Sequence, residues 1–214
     1  MSAARTVVHL LRHGEVDNPG KVLYGRLPGF HLSELGRRMA ERLAEHLAGC
    51  DLTHVASSPL DRALETAAPA AAKHGLPVHI DDRLIEAGNV FEGLSVGVGE
   101  GILRMPRAWR HLWNPLRPSW GEPYVEVSRR MRAAVSTAVS AARGHEALLV
   151  SHQLPIWVVR LAAEHRPFAH DPRRRQCSLA SLTSLAYEDD RLVSITYCEP
   201  ARDLLPGVRQ EAGA

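Results

Sequence analysis

Three segments of this chain end an apolar run on residues suited to holding an anion. Leu11-Arg12-His13-Gly14-Glu15 closes the run 6–11, Ser57-Ser58-Pro59-Leu60-Asp61-Arg62 follows 53–56, and Ser151-His152-Gln153 follows 147–150. Together they would supply two guanidiniums, two histidines and two helix N-termini, near Pro59 and Leu154. Fixed N–H donors and positive potential of that kind match a tetrahedral oxyanion such as phosphate. A neutral imidazole in the same place can attack phosphorus, and Gly14 lets the backbone come close and orient the ring of His13. The competing use of clustered histidines, a metal centre, is disfavoured. A divalent cation beside two arginines meets uncompensated repulsion, and the chain has no HExxH or paired-carboxylate spacing. No metal and no cofactor is expected. Taken singly, His152 reads equally as a satisfied core histidine and Arg62 as a surface ion pair with Glu65 one turn on. Joint placement at three strand ends lifts them above those readings.

The elements that must position these residues follow from periodicity. Residues 6–11 are β-branched and apolar, a buried strand. Leu35, Met39, Leu43 and Leu47 mark a helix over 33–48 with Ser33 as N-cap and Gly49 as stop. A second strand is expected at 53–56, with Ser58 as N-cap and Pro59 as first-turn proline of a helix reaching about His74. A third strand at 78–80, a helix from Pro123 to about Arg143, a strand at 147–150 and a helix at 154–163 continue the alternation. Residues 181–187 and 191–197 flank Glu188-Asp189-Asp190 as a hairpin. The chain from Glu199 on reads as loose. The expected architecture is a three-layer α/β/α sandwich with a mostly parallel, mixed central sheet, one domain over 1–200, a lid insertion at about 88–122 and a tail at 201–214. Ligands of such sheets bind beyond the carboxyl ends of the strands, where all three segments lie.

Bulk properties narrow the function classes. With 214 residues, 45% hydrophobic and 23% charged, the chain suits one globular core. A net charge of +2 argues for neither nucleic acid nor anionic membrane as a partner. Arg173-Arg174-Arg175 reads as a solvated loop. Cys50, Cys177 and Cys198 form no CxxC pair, which suits reduced thiols in a cytoplasm. The N-terminus offers no export signal, and no apolar run approaches the ~18 residues that span a bilayer. The expected setting is cytoplasmic, the expected partner is a small phosphorylated substrate, and a homodimer is compatible with the sequence. The insertion carries Arg104, Arg107, Arg110 and Arg117 with Trp109, Trp113 and Trp120, and no acid between Glu100 and Glu122. Two readings stay open there: arginines facing water over anchoring tryptophans, or arginines reading a second anionic group of the substrate.

Leu11-Arg12-His13-Gly14-Glu15, Ser57-Ser58-Pro59-Leu60 with Arg62-Ala63, Glu65-Thr66-Ala67, the Leu84-x-Glu86 step and Val150-Ser151-His152 jointly resemble the histidine phosphatase superfamily, in its phosphoglycerate-mutase-like branch. Gly25-Arg26 and Leu32-Ser33-Glu34-Leu35-Gly36 match as well, and the resemblance spans about residues 5–200. It implies that His13 is the phosphorylated nucleophile, that Arg12, Arg62 and His152 line the phosphate pocket, and that Glu86 protonates the leaving oxygen and then activates water. Glu15 is the fallback acid. Asn18, Tyr24 and Arg26 are carried as substrate contacts. Gln153, where the family has glycine, alters a backbone contact near the pocket. In physical terms Arg12, Arg62 and a protonated His152 would meet the charge on the equatorial oxygens of a loose transition state. Mutases of the family follow their acid with Arg-x-Tyr-Gly, whereas Glu86 is followed by Ala87-Gly88-Asn89-Val90. A phosphomonoesterase is therefore favoured over a bisphosphoglycerate-primed mutase, with a non-catalytic phospho-ligand module as a third reading.

Overall fold

The computed structural model describes residues 4–94 and 121–205. Six strands, β1 (Arg5–Arg12), β2 (Leu52–Ser57), β3 (Val78–Ile80), β4 (Glu146–Ser151), β5 (Leu182–Glu188) and β6 (Arg191–Cys198), form one sheet in the order β3-β2-β4-β1-β5-β6. The first four run parallel, and the β5–β6 hairpin adds two antiparallel strands beside β1. Four described α-helices cover the faces: α1 (Glu34–His46), α2 (Asp61–Lys73), α3 (Tyr124–Ala141) and α4 (Gln153–Ala163). The expected mixed α/β sandwich is what forms. No described helix is long and apolar enough to cross a membrane.

Period-two alternation explains why the central strands are apolar on both sides. Val8 and Leu10 of β1, with Ala147 and Leu149 of β4, face the core that α3 and α4 close. Leu11, Leu148 and Val150 face the opposite core, closed by Met39 and Leu43 of α1 and the alanines of α2. The register then sets the active end. Leu11 and Ser57 both lie opposite Val150, and Arg12 lies opposite Ser151, so three strands finish level.

Two expectations are corrected. Ser58 and Pro59 do not start α2, which begins at Asp61 with Leu60 in the cap position and no side-chain cap. The Ser58 hydroxyl is occupied by His152 Nε2 at 2.8 Å and lies 3.4 Å from Leu60 N, too long for a strong cap. The chain beyond Glu199 is not loose as far as it is described. Ala201 is buried, Arg202–Leu204 forms a 3₁₀ turn, and Leu204 and Leu205 pack on the α1–α2 core. The lid arginines and tryptophans at 104–120 and the tail at 206–214 lie outside the described residues.

The loop after β1 is pressed against the start of α1. Ser33 caps that helix by accepting from Gly36 N at 3.0 Å, while its hydroxyl donates to Glu15 Oε2 at 2.5 Å. A Cβ on Gly36 would stand 2.0 Å from Glu15 O, and one on Gly14 would stand 2.8 Å from Gly36 O. Helix propensity alone favours alanine over glycine by ~1 kcal/mol, but overpacking against backbone costs about 1–3 kcal/mol or more. Gly36→Ala should therefore lower the urea midpoint rather than raise it. A stabilised variant would show that this loop does not sit against α1.

Candidate active site

The nucleophile candidate is built from the end of β1 outward. His13 is 3% exposed, and its amide continues the β1–β4 ladder by donating to Ser151 O at 3.2 Å. Nδ1 lies 2.8 Å from Gly14 O. A carbonyl can only accept, so Nδ1 carries the ring proton and Nε2 keeps its lone pair. Burial, with Arg12 and Arg62 adding to it, holds the imidazole well below its ordinary pKa despite the opposing Gly14 bond. His13 is thus neutral with one nitrogen bare. Thr66 ties this loop to α2: Gly14 N donates to Thr66 Oγ1 at 3.1 Å, and Thr66 Oγ1 donates to Arg62 O at 2.6 Å.

Arg62 is not a surface ion-pair residue. It is 1% exposed, its Nη2 donates to Gly25 O at 2.6 Å, and its guanidinium lies 4.7 Å from the centre of the Tyr24 ring. Glu65, its supposed partner, instead accepts from Leu32 N at 2.7 Å and contacts His31. Arg12 donates to Cys177 O at 2.6 Å. His152 is fully buried at the start of α4, its ring 5.1 Å from that of His13. Ser58 Oγ lies 2.8 Å from His152 Nε2, and in the tautomer in which the serine donates, His152 Nδ1 carries hydrogen. Among the described residues Arg12 Nε, Arg62 Nε and His152 Nδ1 are buried without a hydrogen-bond partner. Buried donors are normally satisfied, and three of them close to one histidine fit an oxyanion. With no anion bound, burial first, then His13, Arg62 and Arg12, hold His152 well below its usual pKa.

Glu86 lies at the wall of a cavity of about 300 Å³ shared with Arg12, His13, Tyr24, Gln153 and Arg175. Its Oε1 accepts from Ala87 N at 2.8 Å. Burial raises its pKa, opposed by Ala87 N and by Arg12, Arg62 and Arg175. A clamp fixes its backbone: Arg26 Nε donates to Glu86 O at 2.7 Å and Arg26 Nη2 to Glu122 at 2.7 Å. Arg130 joins Glu122 at 2.9 and 3.0 Å and reaches Ile85 O at 2.7 Å. Beyond this clamp, Asn89 bridges Gly121, and Glu122 N donates to Gly88 O at 3.0 Å.

The remaining expected residues divide. Tyr24 and Gln153 line the cavity, whereas Arg26 belongs to the clamp and Asn18 is tied to Val22 through both amide atoms, at 2.8 and 3.0 Å. Arg62 and His152 are buried and are not among the lining residues. Glu15, bonded to Ser33, is not among the lining residues. Sequence reasoning missed Arg175. Arg173 and Arg174 are exposed as expected, but the 3₁₀ turn Pro172–Arg174 swings Arg175 into the cavity wall. Among the described residues one trio, His9, Cys50 and Glu146, is spaced to share an ion. It sits toward the other end of β1, where Glu146 lies 2.7 Å from His9 Nε2.

A family model described as the histidine phosphatase superfamily (branch 1) matches residues 8–199. The uncharacterized protein Rv0525 of Mycobacterium tuberculosis is 55% identical over 196 residues, covering 92% of this chain and 97% of that protein. The probable phosphoglycerate mutase GpmB of Yersinia pestis is 30% identical, covering 85% of each chain. Among solved structures, the mycobacterial glucosyl-3-phosphoglycerate phosphatase Rv2419c superposes with a TM-score of 0.70 at 29% identity, over 90% of this chain and 97% of that one. The three unpartnered donors make a direct prediction. Inorganic phosphate should raise the melting temperature, corresponding to about 2.7 kcal/mol at a hundredfold excess over Kd, and Arg12→Met should lose most of that shift. Retention of the full shift in the variant would place the anion elsewhere.

Proposed function

The chain belongs to the histidine phosphatase superfamily, branch 1, and from that premise we propose that it is a phosphomonoesterase acting on a small phosphorylated metabolite through a phosphohistidine at His13. One observation carries the reading: the Nδ1 bond of His13 to Gly14 O, which leaves Nε2 bare in a neutral ring. Nε2 attacks phosphorus, the P–N bond forms, and the P–O bond to the leaving alcohol breaks. Glu86 gives that oxygen its proton. Its raised pKa keeps it protonated at higher pH than an ordinary carboxyl. Arg12, Arg62 and His152 Nδ1 donate to the phosphoryl oxygens, where charge sits in a loose transition state. In the second half, Glu86 as carboxylate takes a proton from water, the water oxygen attacks phosphorus, and the P–N bond breaks to restore His13. Every step is supplied by these side chains, so no metal is required.

A mutase reading is supported by the 30% identity to GpmB. Against it stands the Ala87-Gly88-Asn89-Val90 stretch after the acid, without the arginine and tyrosine of the mutases. The two separate on 3-phosphoglycerate, which a phosphatase hydrolyses to free phosphate and a mutase isomerises when primed with bisphosphate.

Acid-quenched labelling with p-nitrophenyl phosphate in EDTA should trap phosphate on His13, and His13→Ala should lose both label and turnover. A variant that keeps more than a trace of activity would falsify the assignment, and a wild type that binds phosphate but turns over no ester would favour the binding-module reading.

Glu86→Gln should slow esters with poor leaving groups by about 10²–10⁴-fold and activated aryl esters far less. His13 works deprotonated and its pKa is lowered, so kcat/KM should climb in acid below the ordinary imidazole range. Glu86 works protonated and its pKa is raised, so the rate should fall as pH rises through a range above the ordinary carboxylate one. That fall should disappear in Glu86→Gln. Equal slowing across the ester series would reassign the proton to another group.

A further inference from the structure

Arg175 stands out among the groups that the catalytic steps do not use. It lies on the wall of the cavity beside His13 and Glu86 and also of an adjoining space of about 140 Å³ lined by Gly88, Gly121, Glu122 and Tyr124. Ala87, Asn89 and Leu154 are common to both, so the two spaces adjoin at this guanidinium. Among the described residues Arg175 forms no ion pair and its hydrogen-bond partners are neutral, with Glu86 acting on it across the cavity. Its Nε lies 2.8 Å from His170 Nε2, its Nη1 lies 3.5 Å from Gln153 Oε1, and the Tyr124 hydroxyl interacts with it as well.

The His170 contact is directional. His170 Nδ1 lies 2.6 Å from Phe168 O, a carbonyl that can only accept, so Nδ1 carries the proton and Nε2 accepts from Arg175. Tyr124 and Trp157 flank the ring at 5.6 and 6.0 Å between centres and limit its rotation. A part-buried guanidinium whose hydrogen bonds go to neutral groups keeps donor capacity that an anion in the cavity can use. Arg12 and Arg62 act on His13 itself, whereas Arg175 lines the cavity that Glu86 shares and the space beside it.

Resting on the phosphomonoesterase reading, we propose that Arg175 binds a second anionic group on the substrate's leaving portion, with His170 as the positioning residue that orients it. The substrate class is then a small phosphomonoester that carries a carboxylate or a further phosphate within a few bonds of the ester oxygen. A planar guanidinium with its Nε already engaged still offers a two-nitrogen edge, the geometry that carboxylates and phosphates accept bidentately.

The test compares 3-phosphoglycerate with glycerol 3-phosphate, which differ at the carboxylate, and glycerol 1,3-bisphosphate with the same monophosphate. Wild type should prefer at least one charged member by tenfold or more in kcat/KM, expressed mainly in KM. Arg175→Met should collapse that ratio toward one, whatever it does to absolute rates, and Arg175→Lys should restore part of it. His170→Phe should weaken the ratio with Arg175 still present, and His170→Gln, which retains an acceptor, should recover some of it. Preference for the acid identifies a carboxylate and preference for the bisphosphate a phosphate. A ratio unchanged in Arg175→Met, or no preference in wild type, overturns the proposal. Thermal stabilisation by the same ligands separates the two levels. If no ester is turned over, the phosphatase reading fails. The subsite still stands if the ligand with the second anionic group stabilises wild type more than glycerol 3-phosphate does and Arg175→Met abolishes the difference, and it falls if it does not.

Discussion

The parallel pairing of β1 with β4 is the constraint from which the site follows. Arg12 opposite Ser151 puts His13 and His152, the next residues on each chain, side by side with rings 5.1 Å apart. A slip of one residue would send every side chain of β1 to the wrong face, and Leu10 and Leu11 each fill a different core. Register is therefore enforced by apolar packing on both sheet faces. The polar chemistry at the strand ends inherits a position that hydrophobic burial has already fixed. Thr66 extends that frame to α2 by joining Gly14 to the Arg62 carbonyl.

Electrostatics complete the arrangement. Two arginines are held beside two histidines, and the system stays tolerable because both imidazoles are neutral. Carbonyls of Gly25 and Cys177 take one donor from each arginine. The unpartnered nitrogens that remain are the ones an oxyanion would occupy. Burial acts in opposite directions on His13 and Glu86, lowering the one and raising the other, so each is biased toward its uncharged form. Desolvation thus leans toward a bare imidazole nitrogen and a protonated carboxyl in one cavity.

The parts of this design carried by local pattern were legible in the sequence. Short β-branched apolar runs placed the strands, and polar residues directly after them placed His13, Arg12 and His152. Arg62 was legible only jointly, since an Arg62–Glu65 spacing looks like any helix-surface pair. What escaped depended on distant partners. Ser58 has the profile of an N-cap, but a histidine 94 residues away takes its hydroxyl. Arg175 sits in a run of three arginines, and nothing local distinguishes the one turned inward by the bend at Pro172. The charge state of His152 depends on burial and on its neighbours, neither of which composition records. Packing of Leu204 and Leu205 likewise depends on a surface that α1 and α2 build only once folded.

The neck formed by Asn89, Gly121 and the Gly88–Glu122 bond closes the insertion at its base, and Glu122 is at the same time shared by the two arginines that steady the backbone around Glu86. Mechanically this isolates the reacting groups from whatever chain is spliced between residues 94 and 121. Lengthening a closed loop is thermodynamically cheap, with each doubling costing only ~0.6 kcal/mol. A change in the length of chain between residues 94 and 121 is therefore cheap at this neck, and the backbone of Glu86 keeps its clamp through it. Glu122 serves as a rivet that fastens two loops with one side chain.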